Sequence, residues 1–590
     1  MNEDFNKLYQ AINKNDSNVD NIYNELIKSL NYKNSTNFKI KSTESDKIDI
    51  DAKYVLRDYT SENCAIVIKK LNNVNKNEIR KLHINYWNWN EAPISILIFP
   101  DHIRIYSNYN FEETAYHIIS KKDDFKVLSN FKEKNILNGS MWEFVSEDNN
   151  LSFNREDRVD KSLLKNLKKL WKKININHIK NKEDFKLFHN IIIQFIFIKY
   201  FEDRGILKFE DNSYLNKKAT DFTNLLKHNN LGDIIDCLEY LKERFNGDIF
   251  NITKEEKKML NKDILKEIYH FFNGENIDTG QLSLFPYNFS IISVELISNI
   301  YEKFLTYSEP KKKNKNGVYY TPHFLVDFTL KYTLDNFLEK YNTYQVTILD
   351  PACGSGIFLV ESFKRLVNKY KKDNGKISEK ELKNILVNSI YGIDVNESAL
   401  KIASFSLYIA LLDFLEVKEV SKNNFTFPHL IGENLFNKNF FDEEAKFNNY
   451  KFDVIIGNPP WGTTKGNIYK VKYEKYEKNN DIPIRNNQIA QYFMARVKDF
   501  VKSNTQITFL LLSKIFYNHR GTDFRKYILS KYHIDFIIDL SIARKIIFED
   551  SNAPCAIVSY EPKKERDNKI TQYTLKPNFH FFAKMLNKIF

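Results

Sequence analysis

Cysteine is scarce in this chain, and the patterns that would give it a structural role are missing. The 590 residues include four cysteines, Cys64, Cys237, Cys353 and Cys555, which are far apart and form no Cys-x-x-Cys pair. This spacing argues against a disulfide framework and a zinc site. The twelve histidines contain no His-x-x-x-His pair, so we predict no metal site.

Long apolar runs and a leader sequence are also missing. The N-terminal stretch Met1–Lys7 lacks the basic and apolar parts of a signal peptide. The most apolar segment, Ile191–Leu207, carries charges such as Lys199 and Glu202 and is too short to cross a bilayer. We therefore expect a buried core helix there, and a cytoplasmic protein without membrane association.

Acidic residues are outnumbered by basic ones. Lysine and arginine total 88 against 76 aspartates and glutamates, a formal net charge of +12. Such an excess favours a polyanionic partner, and its binding should weaken with salt. The lysine clusters at 165–173 and 465–478 are the candidate phosphate contacts, although such a cluster is also typical of a solvated helix face.

A short motif follows an apolar run that predicts a strand, Phe452–Ile456. It reads Asn458-Pro459-Pro460-Trp461. An exocyclic amine is a poor nucleophile because its lone pair is delocalised, so a catalyst must accept its hydrogens. The Asn458 side-chain oxygen and the Pro459 carbonyl are suitable acceptors in a rigid turn, and Trp461 offers a face for a base taken out of the helix. The same residues also fit a proline turn over a packed aromatic.

A strand, a glycine loop and a helix are predicted upstream. The strand covers 346–349 and the helix 357–366, and the loop between them reads Asp350-Pro351-Ala352-Cys353-Gly354-Ser355-Gly356. Glycines let the backbone approach a ligand, and the helix N-terminus favours a carboxylate. No Gly-Lys-Ser/Thr follows, which excludes a triphosphate loop. A nucleotide-type ligand is implied, and a tight turn without a ligand is the alternative.

Two further polar groups lie between the glycine loop and the Asn-Pro-Pro-Trp motif. The strand 389–393 ends at Asp394, a position suited to ribose hydroxyls in doubly wound nucleotide folds. The segment Leu430–Leu435 contains Glu433 and Asn434, either of which could read an adenine amino group. Strands and helices continue to alternate up to residue 560, which predicts an α/β fold with a doubly wound, mostly parallel sheet.

Five motifs stand in one order along the chain. They are Gly317-Val318-Tyr319-Tyr320-Thr321-Pro322, the glycine loop, Gly392-Ile393-Asp394, Gly432-Glu433-Asn434-Leu435 and Asn458-Pro459-Pro460-Trp461. This order and spacing resemble the gamma-class N6-adenine DNA methyltransferases of restriction-modification and phage-defence systems. The resemblance implies a Rossmann-like methyltransferase sheet, S-adenosylmethionine as cofactor and double-stranded DNA as substrate.

The resemblance also implies a role for each motif residue. The predicted cofactor-binding residues are Tyr320, Thr321 and Pro322 at the methionine end, Asp350, Pro351, Ala352, Gly354 and Gly356 around the amino acid moiety, Asp394 at the ribose, and Glu433 and Asn434 near the adenine. The predicted catalytic residues are Asn458, Pro459, Pro460 and Trp461. The family more often has Asp or Asn where this chain has Glu433. Amine methylation needs no cysteine nucleophile, so Cys353 is interpreted as a small loop residue.

Four regions are predicted. Residues 290–562 form the methyltransferase core, 151–289 resemble the family's helical linking domain, and 563–590 begin a C-terminal extension or recognition region. Residues 1–150 are predicted to be an α+β domain resembling a restriction nuclease. Such a nuclease needs an Asp and a Glu-x-Lys on adjacent strands to hold a metal, but here Val67 stands where Glu is expected before Lys69. A nuclease-like domain without its metal site is favoured over an active nuclease in another register.

The specificity of the protein is not readable from the sequence. Relatives usually have a large recognition domain after the core, so we expect a separate specificity subunit, other defence proteins as partners, or a truncated chain. Three alternatives to a DNA adenine methyltransferase stay open. They are a bifunctional nuclease and methyltransferase, a non-catalytic subunit that binds DNA or cofactor, and a methyltransferase acting on a protein amide or an RNA amine.

Overall fold

The structure is a computed structural model of the chain. It describes residues 5–14, 18–40, 48–57, 62–109, 116–151, 153–177, 182–212, 214–245, 248–275, 287–292, 296–297, 300, 304, 321–421, 425–544, 554–562 and 569–574. The chain divides into two compact units. Met1–Asn166 with Asn273–Ser293 belongs to the first, and Leu167–Phe272 with Val294–His580 belongs to the second. The predicted four-region division concerns function as well as packing and stays a prediction.

The first unit contains a six-stranded sheet. Its strands are β1 (Phe38–Ile40), β2 (Ala52–Arg57), β3 (Glu62–Lys70), β4 (Ile94–Ile98), β5 (Ile103–Ser107) and β6 (Tyr116–Ile119), paired in that order. All neighbours are antiparallel except β3 and β4, which are parallel and are joined by helix Lys76–Trp89. Strands β2 and β3 thus form one antiparallel pair, and β4 and β5 form a hairpin.

The described residues of the first unit also form helices. They are Asn6–Ile12, Val19–Ser29, Lys76–Trp89, Phe125–Ser129, Glu133–Asn138 and Ser140–Glu147, and Val159–Asn177 contains the boundary between the units. A first apolar cluster joins strand residues such as Ile66 and Ile96 to the helices Val19–Ser29 and Ser140–Glu147. The alternate face of β3 contributes Val67 to a second cluster, with side chains from helix Lys76–Trp89.

The second unit contains a mixed eight-stranded sheet. Its strands are β7 (Ile348–Asp350), β8 (Ile390–Asp394), β9 (Leu435–Asn437), β10 (Phe452–Gly457), β11 (Val501–Leu512), β12 (Tyr532–Asp539), β13 (Cys555–Pro562) and β14 (Thr571–Thr574). The order across the sheet is β14-β12-β13-β11-β10-β7-β8-β9. Strands β9, β8, β7, β10 and β11 are parallel, whereas β13 is antiparallel to both β11 and β12.

The predicted α/β class with parallel strands is confirmed, with one addition. The antiparallel β13 lies between β11 and β12, and the alternating sequence pattern did not predict this direction. That helices cover both faces of the sheet, as a doubly wound fold requires, stays a prediction. The helices of this unit are Lys182–Asp203, Phe222–His228, Leu231–Phe245, Lys254–Met259, Lys262–Phe272, His323–Leu330, Asn336–Tyr341, Ile357–Asn374, Glu379–Ser389, Glu397–Leu412, Val417–Val420, Lys470–Asn479, Ile489–Arg496, Lys514–Tyr517 and Thr522–Lys531.

The apolar segment at 191–207 is part of a buried helix, as predicted. Helix Lys182–Asp203 packs through Phe197 against Phe405 of helix Glu397–Leu412. Phe201 of the same helix stacks with Phe427. Across the part of the chain that the structure describes, no helix combines the length and apolarity needed to cross a membrane.

Candidate active site

The site is built where the strand order changes direction. From β7 the chain moves outward to β8 and β9, and it then crosses back to β10 on the other side of β7. The carboxyl ends of β7 and β10 therefore lie side by side, with Asp350 ending β7 and Gly457 ending β10. Ligands of open α/β sheets bind at such a reversal because the loops leaving the two strands separate and form a crevice.

Asp350 and Gly457 are in contact at this edge. A Cβ added to Gly457 would collide with Asp350 Oδ1, so the absence of a side chain at 457 makes room for the carboxylate. Asp350 Oδ1 accepts the Ala352 N–H at 3.0 Å, and the side chain is almost fully buried. Burial raises the pKa of Asp350 to about 8, the Ala352 N–H opposes the rise, and the nearby Asp394 carboxylate adds to it.

The glycine loop connects β7 to Asp394 at the end of β8. Gly354 has φ +52° and donates its N–H to Asp394 Oδ2 at 2.9 Å. Gly356 has φ +84° and directly precedes helix Ile357–Asn374, where an added Cβ would come 2.8 Å from Ala403 Cβ. Both glycines are thus required, one for its backbone conformation beside the acid and one also for close helix packing.

Asp394 is held in place by main-chain donors. In addition to Gly354, the Asn396 N–H donates to its Oδ1 at 2.7 Å. Burial raises the pKa of the Asp394 carboxyl, and these backbone hydrogen bonds oppose the rise. A carboxylate has lone pairs for about four hydrogen bonds, so these contacts leave capacity for ligand hydroxyls.

Two of the sequence motifs meet directly at Asn458. Its Nδ2 donates to Thr321 Oγ1 at 3.0 Å, which joins the Asn-Pro-Pro-Trp segment to the segment before helix His323–Leu330. Thr321 is buried and Pro322 is half-buried. The third residue predicted in that segment, Tyr320, lies outside the described residues. Pro459 is buried and Pro460 half-buried after Asn458.

Trp461 is more deeply buried than a free stacking platform would be. Its exposed fraction is 6%, and its indole N–H donates to the Leu510 carbonyl at 3.3 Å. The ring packs in an apolar cluster with Leu325, Ile538 and Ile557. A base that stacks on Trp461 must therefore meet the small part of the ring that is left exposed or displace part of its surroundings.

The two candidates near the cofactor adenine differ sharply. Glu433 is exposed and pairs with Lys446. Asn434 is buried, and its Nδ2 donates to the carbonyls of Val387 at 2.8 Å and Ile390 at 2.9 Å. The Asn434 amide group is thus bonded to the start of β8, and Glu433 is the one of the two whose side chain reaches solvent.

Sequence reasoning missed two residues that shape this site. Gly457 was not singled out, although it directly precedes Asn458. Asp248, from the predicted linking domain, accepts the N–H groups of Leu430 at 2.8 Å and Ile431 at 3.1 Å and the Tyr408 hydroxyl at 2.8 Å. It lies within residues 151–289, and the predicted resemblance of that region to the family's linking domain was the signal that could have drawn attention to it.

The arrangement suits a cationic nucleotide-type cofactor. The would-be Cβ of Gly354 meets no atom within 4 Å, so there is open space beside the loop. Asp394 lies close enough to Asp350 for its charge to raise the pKa of the Asp350 carboxyl. Two acids and main-chain donors at a strand-order reversal fit a ligand with a positively charged amino acid part and a ribose.

The first unit has a different polar group on β3. Lys69 Nζ lies 2.8 Å from Asp49 Oδ1 and 3.7 Å from Asp51 Oδ2. The Lys70 N–H donates to Asp51 Oδ2 at 2.6 Å, so both aspartates are bonded to β3. Val67 is fully buried. The described residues contain no group of three or more His, Cys, Asp or Glu side chains arranged to hold a metal ion.

Comparison with known proteins decides the family. The sequence profile of the N-6 DNA methylases matches residues 293–589, which is just over half of the 590-residue chain. The chain belongs to the N-6 DNA methylase family. Every strand of the second unit, from β7 to β14, falls inside the matched residues, as do all the motif residues.

Relatives of this N-6 DNA methylase include restriction-modification proteins. It is 25% identical over 414 residues to the type II restriction enzyme and methyltransferase RM.Eco57I of Escherichia coli, covering 60% of this chain and 38% of that protein. It is 27% identical to the type I MjaVII methylase subunit of Methanocaldococcus jannaschii, covering 48% of this chain and 45% of the subunit. The chain thus spans less than half the length of these relatives.

Solved structures of similar proteins include DNA complexes. The chain is similar to MmeI, a type IIL restriction-modification enzyme in complex with DNA, at 16% identity and a TM-score of 0.47, covering 70% of this chain and 58% of that one. The DrdV–DNA complex gives 14% identity and a TM-score of 0.45, covering 97% and 56%. Likeness at this level is too weak to carry an argument about this chain.

Proposed function

We propose that this protein is a site-specific DNA methyltransferase that transfers a methyl group from S-adenosylmethionine to the N6 amine of adenine in double-stranded DNA. One observation carries the proposal. The candidate cofactor residues and the candidate base residues meet at one strand-order reversal, through the Asn458–Thr321 hydrogen bond and the contact of Asp350 with Gly457. Restriction-modification or phage defence is the setting that the relatives suggest.

The cofactor supplies a methyl group on a positively charged sulfur when bound. Asp350 and the glycine loop hold its amino acid part, Asp394 accepts its ribose hydroxyls, and Glu433 lies near its adenine. Asn458 and the Pro459 carbonyl would accept the amino hydrogens of the flipped adenine, which would localise the nitrogen lone pair for attack on the methyl group. The sulfur–carbon bond would break as the carbon–nitrogen bond forms, and the surplus N6 proton would pass to water. Catalysis then rests on positioning and electrostatic polarisation, without a covalent enzyme intermediate.

Two substitutions separate the roles of the site. Asn458→Ala should abolish methyl transfer and leave cofactor binding nearly intact, because this side chain faces the base. Asp394→Ala should raise the dissociation constant of S-adenosylmethionine first. Calorimetric titration with the cofactor, together with tritium transfer to genomic DNA followed by nucleoside analysis, measures both quantities. Equal effects of the two substitutions on cofactor binding would contradict these roles.

The same assay tests the other functions. Label in N6-methyladenine supports a DNA methyltransferase, label in a protein amide or in RNA without label in DNA supports the amide or amine alternative, and binding without transfer supports a silent subunit. We propose that the first unit is a nuclease-like domain without a metal site, because Val67 occupies the Glu position and Lys69 is paired with Asp49. Magnesium-dependent DNA fragments would overturn that proposal.

DNA and a second protein are the proposed partners. The net charge of +12 favours DNA, and binding should weaken as salt rises. A type I methylase subunit is among the relatives, which supports a separate specificity subunit as a possible source of sequence recognition. Site-specific methylation by the isolated chain would make that subunit unnecessary.

A further inference from the structure

The segment that follows the Asn-Pro-Pro-Trp motif exposes two apolar side chains. Ile468 is 85% exposed and Val471 is 75% exposed, the two highest values among the large apolar side chains of the described residues. Single exposed apolar residues are common and need no explanation. Ile468 lies two residues before helix Lys470–Asn479, and Val471 lies in its first turn. We refer to residues 463–471, which carry both side chains, as the projection.

The projection is firmly attached at its base. Thr463 pairs with Gln488, and the Thr464 N–H donates to the Asn487 carbonyl at 2.8 Å. The Asn467 N–H then donates to the Thr464 carbonyl at 3.0 Å, which closes a tight turn below Ile468. The turn fixes the direction in which the chain leaves the sheet.

The helix behind the turn is anchored on its other side. Tyr473 and Tyr476 are buried in the apolar core of the second unit, and the Tyr476 hydroxyl donates to Asp499 at 2.8 Å. Asn467 Oδ1 accepts the Tyr469 N–H at 2.8 Å, which fixes the entry to the helix. Because both ends are held, Ile468 and Val471 are presented to solvent by ordered backbone.

The charge around the projection identifies the class of partner. Residues 461–480 contain five lysines and two glutamates. Lys472 and Lys475 pair with Asp442 and Glu443, and Lys470 lies 3.4 Å from Glu474. Lys465 and Lys470 are exposed on either side of Ile468. An apolar tip between lysines fits a duplex, since lysines bind phosphates while apolar side chains such as Ile and Leu insert between bases and unstack them. A protein partner would not need this positive border.

The position of the projection relates it to the reaction. Ile468 follows Trp461 by seven residues, which is at most about 25 Å of extended chain. The turn between Thr464 and Asn467 shortens this reach further. A target base can leave a duplex only if its pairing and stacking are broken, and a group that enters the stack lowers that cost.

We propose that Ile468, supported by Val471, is an apolar wedge that enters double-stranded DNA and keeps the target adenine out of the stack. The inference rests on the proposed function, because it assigns a base-extruding element to the same DNA substrate. Lys465 and Lys470 would contact phosphates on either side of the inserted side chain.

The test compares two DNA duplexes. The adenine that the wild-type protein methylates is first mapped in genomic DNA, and two duplexes with that site are made. In one duplex the target adenine pairs with thymine, and in the other it faces an abasic site and has no base pair to lose. Single-turnover methyl transfer and DNA binding are measured for the wild type, Ile468→Ala, Ile468→Phe and the control Val417→Ala, which truncates another exposed apolar side chain of the same unit.

A wedge gives a specific pattern. Ile468→Ala should slow transfer to the paired duplex by about tenfold or more and leave transfer to the abasic duplex near the wild-type rate. Ile468→Phe should retain activity on both, and Val417→Ala should match the wild type. The melting temperature of each variant should not change, because both positions are exposed.

Other results overturn the inference. Equal loss on both duplexes would mean that Ile468 supports binding or folding, and no loss on either would leave the surface to a protein partner. If the wild type transfers no methyl group to genomic DNA, the proposed function fails and the wedge fails with it. These outcomes are distinguishable because only the last one is a loss of activity in the wild-type protein.

Discussion

The side-chain nitrogen of Asn458 donates to the hydroxyl of Thr321 at 3.0 Å, and this hydrogen bond sets the direction of the amide. An amide bonded through its nitrogen presents its oxygen elsewhere, and an oxygen is what an adenine amine requires as acceptor. Thr321 therefore acts as a positioning residue for Asn458, in addition to its predicted place beside the cofactor.

Removing the Thr321 hydroxyl should slow methyl transfer. Thr321→Val keeps the shape but removes the acceptor, so the amide can turn and kcat should fall about tenfold or more, since about 1.4 kcal/mol corresponds to tenfold. Thr321→Ser keeps the acceptor and should retain activity. Steady-state kinetics and cofactor titration measure the effect. A rise in the cofactor dissociation constant with unchanged kcat would instead place Thr321 at the cofactor alone.

A methyl group at position 457 should disturb Asp350. Gly457→Ala places a Cβ against the Asp350 carboxylate, so the strand or the acid must move, at a cost of about 1–3 kcal/mol in the free energy of unfolding. Cofactor affinity should fall as well. Gly232→Ala is the control, because its Cβ would meet only the end of the Asn230 side chain, at 3.4 Å. Urea denaturation measures the free energy of unfolding of both variants, and titration measures their cofactor affinity. If the two substitutions changed these quantities equally, the predicted collision with Asp350 would be contradicted.

The stability of the cofactor-free protein should depend on Asp350 and pH. Its folded pKa of about 8 is above the ordinary value of 3.8, so the folded state holds a proton that the unfolded state releases. The stability that Asp350 contributes is therefore fully present at low pH. Between its two pKa values, 3.8 and about 8, the free energy of unfolding falls by up to about 1.4 kcal/mol per pH unit as pH rises, and it levels off above about 8. Asp350→Asn should have a flatter profile in urea denaturation between about pH 5 and pH 8. Parallel profiles would contradict the assignment.

Cofactor binding should depend on pH in the opposite sense. The positive charge of the cofactor's amino group stabilises the ionised form of Asp350, so binding at neutral pH should release a proton and the affinity should rise with pH up to about 8. Calorimetric titration in buffers of different ionisation enthalpy measures the proton release directly. Asp350→Asn should abolish the part of the release that is due to this group.

Asp248 should hold the segment that carries Glu433 in place through its hydrogen bonds to Leu430 and Ile431. Asp248→Asn replaces an acceptor of two main-chain N–H groups and should lower the free energy of unfolding by about 1–3 kcal/mol. The KM for the cofactor should rise more than kcat falls, because the segment carries Glu433, the residue proposed to lie near the cofactor adenine. Asp211→Asn, an exposed acid, is the control. A loss confined to kcat would contradict this positioning role.

Local patterns predicted most elements of the second unit. The apolar runs before Asp350, Asp394 and Asn458 are strands β7, β8 and β10, because short apolar runs between turn signals favour buried parallel strands. The helix after the glycine loop is longer than predicted and extends to Asn374. The motif that ends at Pro322 is followed by helix His323–Leu330, and a π-helical turn follows that helix at Lys331–Asp335.

Contacts between residues far apart in the chain could not be predicted from local sequence patterns. No local signal gives the direction of β13, which depends on β11 and β12 on either side of it. The collision that requires glycine at 457 depends on Asp350, more than a hundred residues earlier in the chain. Trp461 was predicted either as a stacking face or as a packed aromatic. The neighbours that bury it belong to the later strands β11, β12 and β13, which the motif itself does not reveal.

The antiparallel β13 has a consequence for the order in which the chain assembles. Strands β7, β8, β9 and β10 all lie before residue 458 and pair with one another. In the described sheet, β11 and β12 do not pair with each other, because β13 lies between them. The strands that end in Asp350, Asp394 and Gly457 therefore precede β13 (Cys555–Pro562), which contributes to the apolar cluster around Trp461. Until β13 pairs with β11, one edge of β11 stays unpaired, and unpaired strand edges make partly folded chains prone to aggregation.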